Sequence, residues 1–163
     1  MVYVVMGVSG SGKTTVGKML SDRLDIDFYD ADDFHSLSSL DKMKNSIPLK
    51  DEDRMPWLLN LARNIRDWNK GRGAVIACSA LKEEYRRMLS GDGNAKVVFI
   101  YLEGDKSFIS ARMKARREHF FQEPLLESQF EALEPPVNAI TMKIDAPPSE
   151  ICDGILNKLA GLG

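Results

Sequence analysis

The sequence predicts an α/β fold built as a parallel sheet with helices on both faces, and three observations carry that prediction. Short β-rich, largely apolar runs alternate with stretches of helical period, which is the pattern of βαβ units whose sheet is covered on both sides. The first run leads directly into the glycine-rich segment GVSGSGKT and then into a helical stretch, the strand–loop–helix setting of a phosphate-binding loop. The length, 163 residues, suits a single domain.

The elements follow in order. Val2 to Gly7 forms the first strand, and Val16, Met19, Leu20 and Leu24 recur at helical spacing as the buried stripe of the first helix. Asp27 to Ala31 is a weaker second strand, followed by a polar stretch from Asp32 to Arg54. Trp57, Leu58, Leu61, Ile65 and Trp68 mark the next helix, with Pro56 in its first turn, Gly71 as its stop and both tryptophans in the core. Ala74 to Cys78 is the third strand, and Leu81, Tyr85, Met88 and Leu89 form a stripe closed by Gly91. Lys96 to Leu102 is the fourth strand, with Phe108, Ile109 and Met113 on the helix behind it. A second long connection, Arg116 to Pro136, carries a short helical pattern before the fifth strand, Ala139 to Ile144. Ile151, Ile155, Leu156 and Leu159 mark the last helix. Two connections of this length in a compact domain read as a substrate-side segment (about 32–54) and a lid (about 116–136).

Composition removes several function classes. Lys plus Arg number 22 against 24 Asp plus Glu, for a net charge of −2, so no general field attracts nucleic acid or an anionic membrane. Any phosphate binding must be local. The sequence shows neither a membrane-spanning apolar run nor the pattern of a signal peptide, so a cytoplasmic protein is expected. Cys78 and Cys152 lack metal-ligand spacing and read as buried thiols.

Gly7, Gly12, Lys13 and Thr14 satisfy GxxxxGK[ST]. Glycines let successive N–H groups turn inward, and the helix start adds partial positive charge, so Gly7, Ser9, Gly10, Ser11, Gly12, Lys13, Thr14 and Thr15 are expected to cradle a nucleotide's phosphates. Lys13 supplies a mobile charge, and the Thr14 hydroxyl suits Mg²⁺. The chain is not a regulatory GTPase: its nearest approach to the guanine-reading NKxD run, Asn69 to Arg72, ends in Arg. Leu89 to Gly93 resembles a transporter signature but reads as a turn.

A small kinase is what remains, one that holds an acceptor hydroxyl in line with the γ-phosphate. Asp30, Asp32 and Asp33 gather where the second strand reaches the same crevice as the phosphate loop. Asp32 is expected at the acceptor hydroxyl and Asp30 at the metal. Arg112, Arg116 and Arg117 sit where the helix behind the fourth strand ends and the second long connection begins, and guanidinium groups there can reach the transferring phosphoryl.

DADDFH (Asp30 to His35), IPLKDEDRMPWL (Ile47 to Leu58), CSALKEEYR (Cys78 to Arg86) and HFFQEPLLESQFEALEPP (His119 to Pro136), taken with GVSGSGKTT, resemble the gluconate kinase (gluconokinase) family of small phosphate-loop kinases. The resemblance runs from Val5 to about Pro136. It implies a five-stranded parallel sheet in the order 2-3-1-4-5, ATP with Mg²⁺, phosphorylation of the 6-hydroxyl of D-gluconate, and a homodimer. A kinase for another hydroxylated acid such as shikimate, or a nucleotide-dependent binding module, are the competing readings. An anionic polyol calls for cations and for hydroxyl-binding side chains. Within the resembling motifs His35, Arg54, Ser79, Lys82, Arg86, His119 and Gln129 meet that need, and Pro147 is expected as a wall for adenine. Three positions depart from the family pattern: Ser36 replaces Pro, Ser39 replaces Asn, and Ser46 replaces a Gly.

Overall fold

The computed structural model describes residues 1–91, 93–115 and 123–162. Five strands, β1 (Val2–Met6), β2 (Asp27–Asp30), β3 (Ala74–Ala77), β4 (Val97–Glu103) and β5 (Ile140–Lys143), form one sheet in the order β2-β3-β1-β4-β5. Every pairing is parallel, with Val2 of β1 opposite both Ala74 and Val97. Central β1 is therefore shielded on both edges and both faces. Its alternate side chains enter two separate cores, as a two-residue period requires. Val5 packs with Val16, Leu20, Ile109, Ile151 and Ile155. Val4 and Met6 pack on the opposite face with Trp57, Leu58, Leu61, Ile65 and Leu89.

The covering helices are α1 (Lys13–Leu24), α2 (Leu37–Lys44), α3 (Asp51–Lys70), α4 (Glu83–Ser90), α5 (Lys106–Ala115), α6 (Glu123–Ala132) and α7 (Pro148–Leu162). α1, α5 and α7 cover the first core, and α3 and α4 the second. Both cysteines are buried and unbridged, as expected. Trp57 is buried with its indole N–H donating to the Ala31 carbonyl at 2.7 Å, while Trp68 stacks on Tyr29 with ring centroids 4.2 Å apart.

Three expectations need correction. Pro56 lies in the second turn of α3, because the helix begins at Asp51. Asp51, Glu52 and Asp53 all occupy its first turn, where negative charge favours a helix start, and the Asp53 carboxylate accepts the Lys50 N–H at 2.9 Å. Leu81 belongs to the loop before α4 rather than to its stripe. The polar stretch after β2 is also largely ordered: a 3₁₀ turn over Ala31–Phe34, α2 and the start of α3 occupy most of it. Lys42 of α2 binds the Asp53 carboxylate at 2.9 and 3.1 Å, fastening the two helices together.

The departures from the family pattern acquire physical meaning in α2. Ser36 caps the helix by accepting the Ser39 N–H at 3.2 Å, and Ser39 is buried beneath it. At the other end Ser46 N–H bonds the Met43 carbonyl at 3.2 Å and Ile47 N–H bonds the Lys42 carbonyl at 2.8 Å. Those two bonds define a Schellman stop, whose pivotal residue is left-handed and usually Gly. Ser46 occupies that pivot with φ of 55°. A side chain there carries a conformational penalty that glycine lacks. Ser46→Gly should accordingly stabilise the protein by about 0.5–1 kcal/mol, the left-handed penalty less the extra freedom of an unfolded glycine. Urea unfolding measures this, and a lower midpoint for the variant would show that the Ser46 side chain contributes more than the backbone loses.

Candidate active site

β1 delivers the chain to the carboxyl edge of the sheet, and the loop that follows is shaped for an anion. Gly10 and Gly12 take φ values of 78° and 96°, a region side chains rarely enter. A Cβ on Gly10 would also stand 2.7 Å from the Met113 sulfur, so loop and α5 touch directly. α1 then starts on Gly12, with no side-chain cap and no acidic residue in its first turn. The opening N–H groups of a helix have no intrahelical partner, and here no carboxylate or hydroxyl of the cap takes their place. The result is a cluster of donors at the positive end of the helix dipole.

Lys13 sits at the mouth of this cluster. Its Nζ donates to the Gly7 and Val8 carbonyls, both at 3.0 Å, folding the charge back over its own loop. Burial lowers its pKa, with Cys78, Asp32 and Asp30 acting in the opposite direction. Those same groups are neighbours of one another. Burial raises the Asp32 pKa, Asp30 raises it further, and Lys13 partly offsets both. One Asp30 oxygen accepts the Asp32 N–H at 3.0 Å, which makes Asp30 the cap of the 3₁₀ turn. Cys78, directly after β3, is pushed by burial up to about 12, so it presents a neutral thiol among these charges. It is a site neighbour that its type and spacing did not reveal.

His35 follows that 3₁₀ turn, stacked on Trp57 at 4.2 Å with its rings 13° from parallel. Its Nδ1 is buried without a hydrogen-bond partner, and burial, followed by the charge of Arg54, lowers its pKa. It is therefore a neutral imidazole beside a guanidinium. Arg54 itself has only a 3.9 Å approach to Asp51 and a partly exposed side chain. A cavity of about 530 Å³ opens beside this group, lined by His35, Ser36, Ser39, Trp57 and Asn60 among others.

Two residues expected at the acid have other partners. Arg86 is buried, donating to the Ala80 carbonyl and the Glu134 carbonyl at 2.7 Å each and to the Glu83 carboxylate at 3.0 Å. It joins the loop after β3 to the segment after α6, a brace in place of the expected carboxylate contact. Gln129, on α6, bonds Ser9 of the phosphate loop. Ser79 reaches that loop from the other side, its carbonyl accepting the Gly7 N–H at 3.3 Å. Lys82 lies 5.7 Å over the Tyr85 ring and lines a groove of about 1350 Å³ between α3, α4 and α6. Thr14 and Thr15 are exposed at the start of α1. Arg112 lies 5.7 Å over the Phe108 ring, and the Pro147 carbonyl accepts the Ile151 N–H at 3.1 Å as α7 begins. Arg116, Arg117 and His119 lie outside the described residues.

Known proteins share this architecture. A family model described as shikimate kinase matches residues 9–159. A gluconokinase of Arabidopsis thaliana is 47% identical over 146 residues, covering 82% of this chain and 77% of that protein. The crystal structure of a gluconokinase from Sinorhizobium meliloti 1021 matches with a TM-score of 0.89 and 36% identity, over 99% of this chain and 92% of that one. An unliganded sugar kinase from Janibacter sp. HTCC2649 matches with a TM-score of 0.88 and 40% identity, over 97% and 93% of the two chains.

The bracing role of Arg86 is directly measurable. Arg86→Ala leaves the buried Ala80 carbonyl and the part-buried Glu134 carbonyl without the Arg86 donor and opens a void, so a stability loss of about 2–4 kcal/mol is expected in denaturant unfolding. Unchanged stability with a selective loss of acid affinity would instead restore Arg86 to the substrate.

Proposed function

Because the chain belongs to the gluconokinase family, we propose that it transfers the γ-phosphoryl group of ATP to the 6-hydroxyl of D-gluconate, forming 6-phosphogluconate and ADP. The observation that carries this reading is the electrostatic coupling of Lys13, the residue that opens the uncapped α1, to Asp32. One binds what is transferred and the other handles the group that receives it. A bond forms between the acceptor oxygen and the γ-phosphorus, the bond to the β–γ bridging oxygen breaks, and the hydroxyl proton passes to Asp32.

Each residue then has a distinct task. The free N–H groups of α1 and the Lys13 ammonium balance the charge spread over the phosphate oxygens, the dominant need in a loose transition state. Lys13 must leave the Gly7 and Val8 carbonyls to do so, a swing of its flexible stem. Asp32 orients the hydroxyl and takes its proton late, and a raised pKa makes it the better base. Arg54 and Lys82 supply charge for the gluconate carboxylate, while neutral His35 offers Nδ1 to a hydroxyl. Ser79 borders the acceptor from the end of β3. Arg112 and Arg116 serve the transferring phosphoryl, Pro147 the adenine and His119 the acid, as the resemblance implies.

The donor set also fits Mg²⁺. An ion that keeps most of its waters and takes few protein oxygens needs little more than one hydroxyl and one carboxylate. Thr14 and Asp30 would hold it. When bound, it neutralises charge on the phosphate oxygens.

Release of ADP, followed by a coupled assay with gluconate, shikimate and other sugar acids, tests the proposal. Gluconate should give the largest stimulated rate, whereas a larger rate with shikimate, or indifference to every acid, would overturn it. Asp32 adds a pH signature. Its ionised form is the active one and its pKa is raised from an ordinary value near 3.8, so kcat should fall with decreasing pH along a limb that lies above that value. Asp32→Asn should lower kcat by about 10² or more and abolish this limb.

A further inference from the structure

Gln129 addresses the phosphate loop through both ends of its amide. The Ser9 N–H donates to Oε1 at 2.7 Å, and Nε2 donates to the Ser9 hydroxyl at 2.9 Å. One side chain thus holds both polar groups of one loop residue across 120 positions of sequence. The helix presenting it is anchored on two sides. Lys106 of α5 pairs with Glu127 of α6, and Met113 of α5 packs against Gly10 of the loop. Just beyond α6, the Glu134 N–H donates to the Leu81 carbonyl at 2.8 Å, and its carboxylate accepts the Glu83 N–H at 3.0 Å. Arg86 then grips the Glu134 carbonyl. Gln129 is therefore delivered to Ser9 by a fixed element.

The loop needs such support. Gly7, Gly10 and Gly12 all have positive φ, and ordering three glycines costs more conformational entropy than ordering residues with side chains. A loop held in its binding shape before the ligand arrives saves that cost at the moment of binding. The Ser9 N–H, spent on Gln129, is also withheld from the phosphate donors. We propose that Gln129 is a positioning residue that holds the phosphate loop ready for nucleotide, rather than a ligand of the acid.

The proposal rests on the kinase reading only for the identity of the nucleotide, so its test uses ADP without acid. Titration of wild type, Gln129→Met and Ser9→Ala gives the dissociation constants. Gln129→Met keeps length while losing both bonds, and should weaken ADP binding about tenfold; Ser9→Ala loses only the hydroxyl bond and should weaken it about threefold. In steady state Gln129→Met should raise the KM for ATP and leave the KM for gluconate within about twofold. Equal or tighter ADP binding by either variant, or a selective rise in the gluconate KM, overturns the assignment. Should Gln129→Met fail to fold, Ser9→Ala decides alone. A wild-type chain that does not bind ADP would sink the kinase reading itself, whereas wild-type binding matched by both variants sinks only this inference.

Discussion

The unpaired N–H groups that open α1 are the constraint around which this molecule is organised. A helix start is usually quieted by a capping side chain or an early acidic residue, and α1 has neither. Its donors are useful only if they stay in place, and the surrounding structure supplies that rigidity. β1, buried on both faces at the centre of the sheet, fixes where the loop begins. Val16 and Leu20 fix α1 against the same core from below. The loop between is short of side chains because the phosphates must meet its backbone.

Around this anion site the fold places opposite charge in measured amounts. Asp30 and Asp32 come from β2 and the turn after it, two strands away from β1 with β3 between. Ionising Asp32 beside Asp30 is unfavourable, and the raised pKa of Asp32, from desolvation first and the Asp30 charge second, expresses that cost. Lys13 offsets part of it, so lysine and carboxylate are linked electrostatically before any substrate arrives. The acceptor-side loop is braced separately. Ala80 holds a strained φ of 44° while Arg86 grips its carbonyl, and strain of this kind persists where neighbours over-determine the backbone.

Much of this was legible in the sequence because it is local. The five strands, the phosphate loop and the carboxylates after β2 each announce themselves within a few residues, by alternation, glycine spacing or position at a strand end. Arg86 and Gln129 were not legible in the same way. An arginine suited to a sugar acid's carboxylate is equally suited to two backbone carbonyls, and its partner Glu134 lies 48 positions away. Gln129 meets Ser9 only because α6 crosses to the loop. Pro56 misled because a proline marks a first turn by habit, while the three acidic residues ahead of it extend α3 by another turn. Cys78 looked like an ordinary core thiol, and only the packing of β3 beside β1 and β2 brings it next to Lys13 and Asp32.

The central claim is that the start of α1, with Lys13, binds and stabilises the phosphoryl group in transfer. Steady-state turnover of Lys13→Ala with ATP and gluconate tests it most directly, alongside thermal unfolding, since Nζ also bonds two loop carbonyls. A folded variant whose kcat is lower by about 10² or more, a few kcal/mol of transition-state stabilisation, is the predicted result. A folded variant within about threefold of wild type would contradict the account.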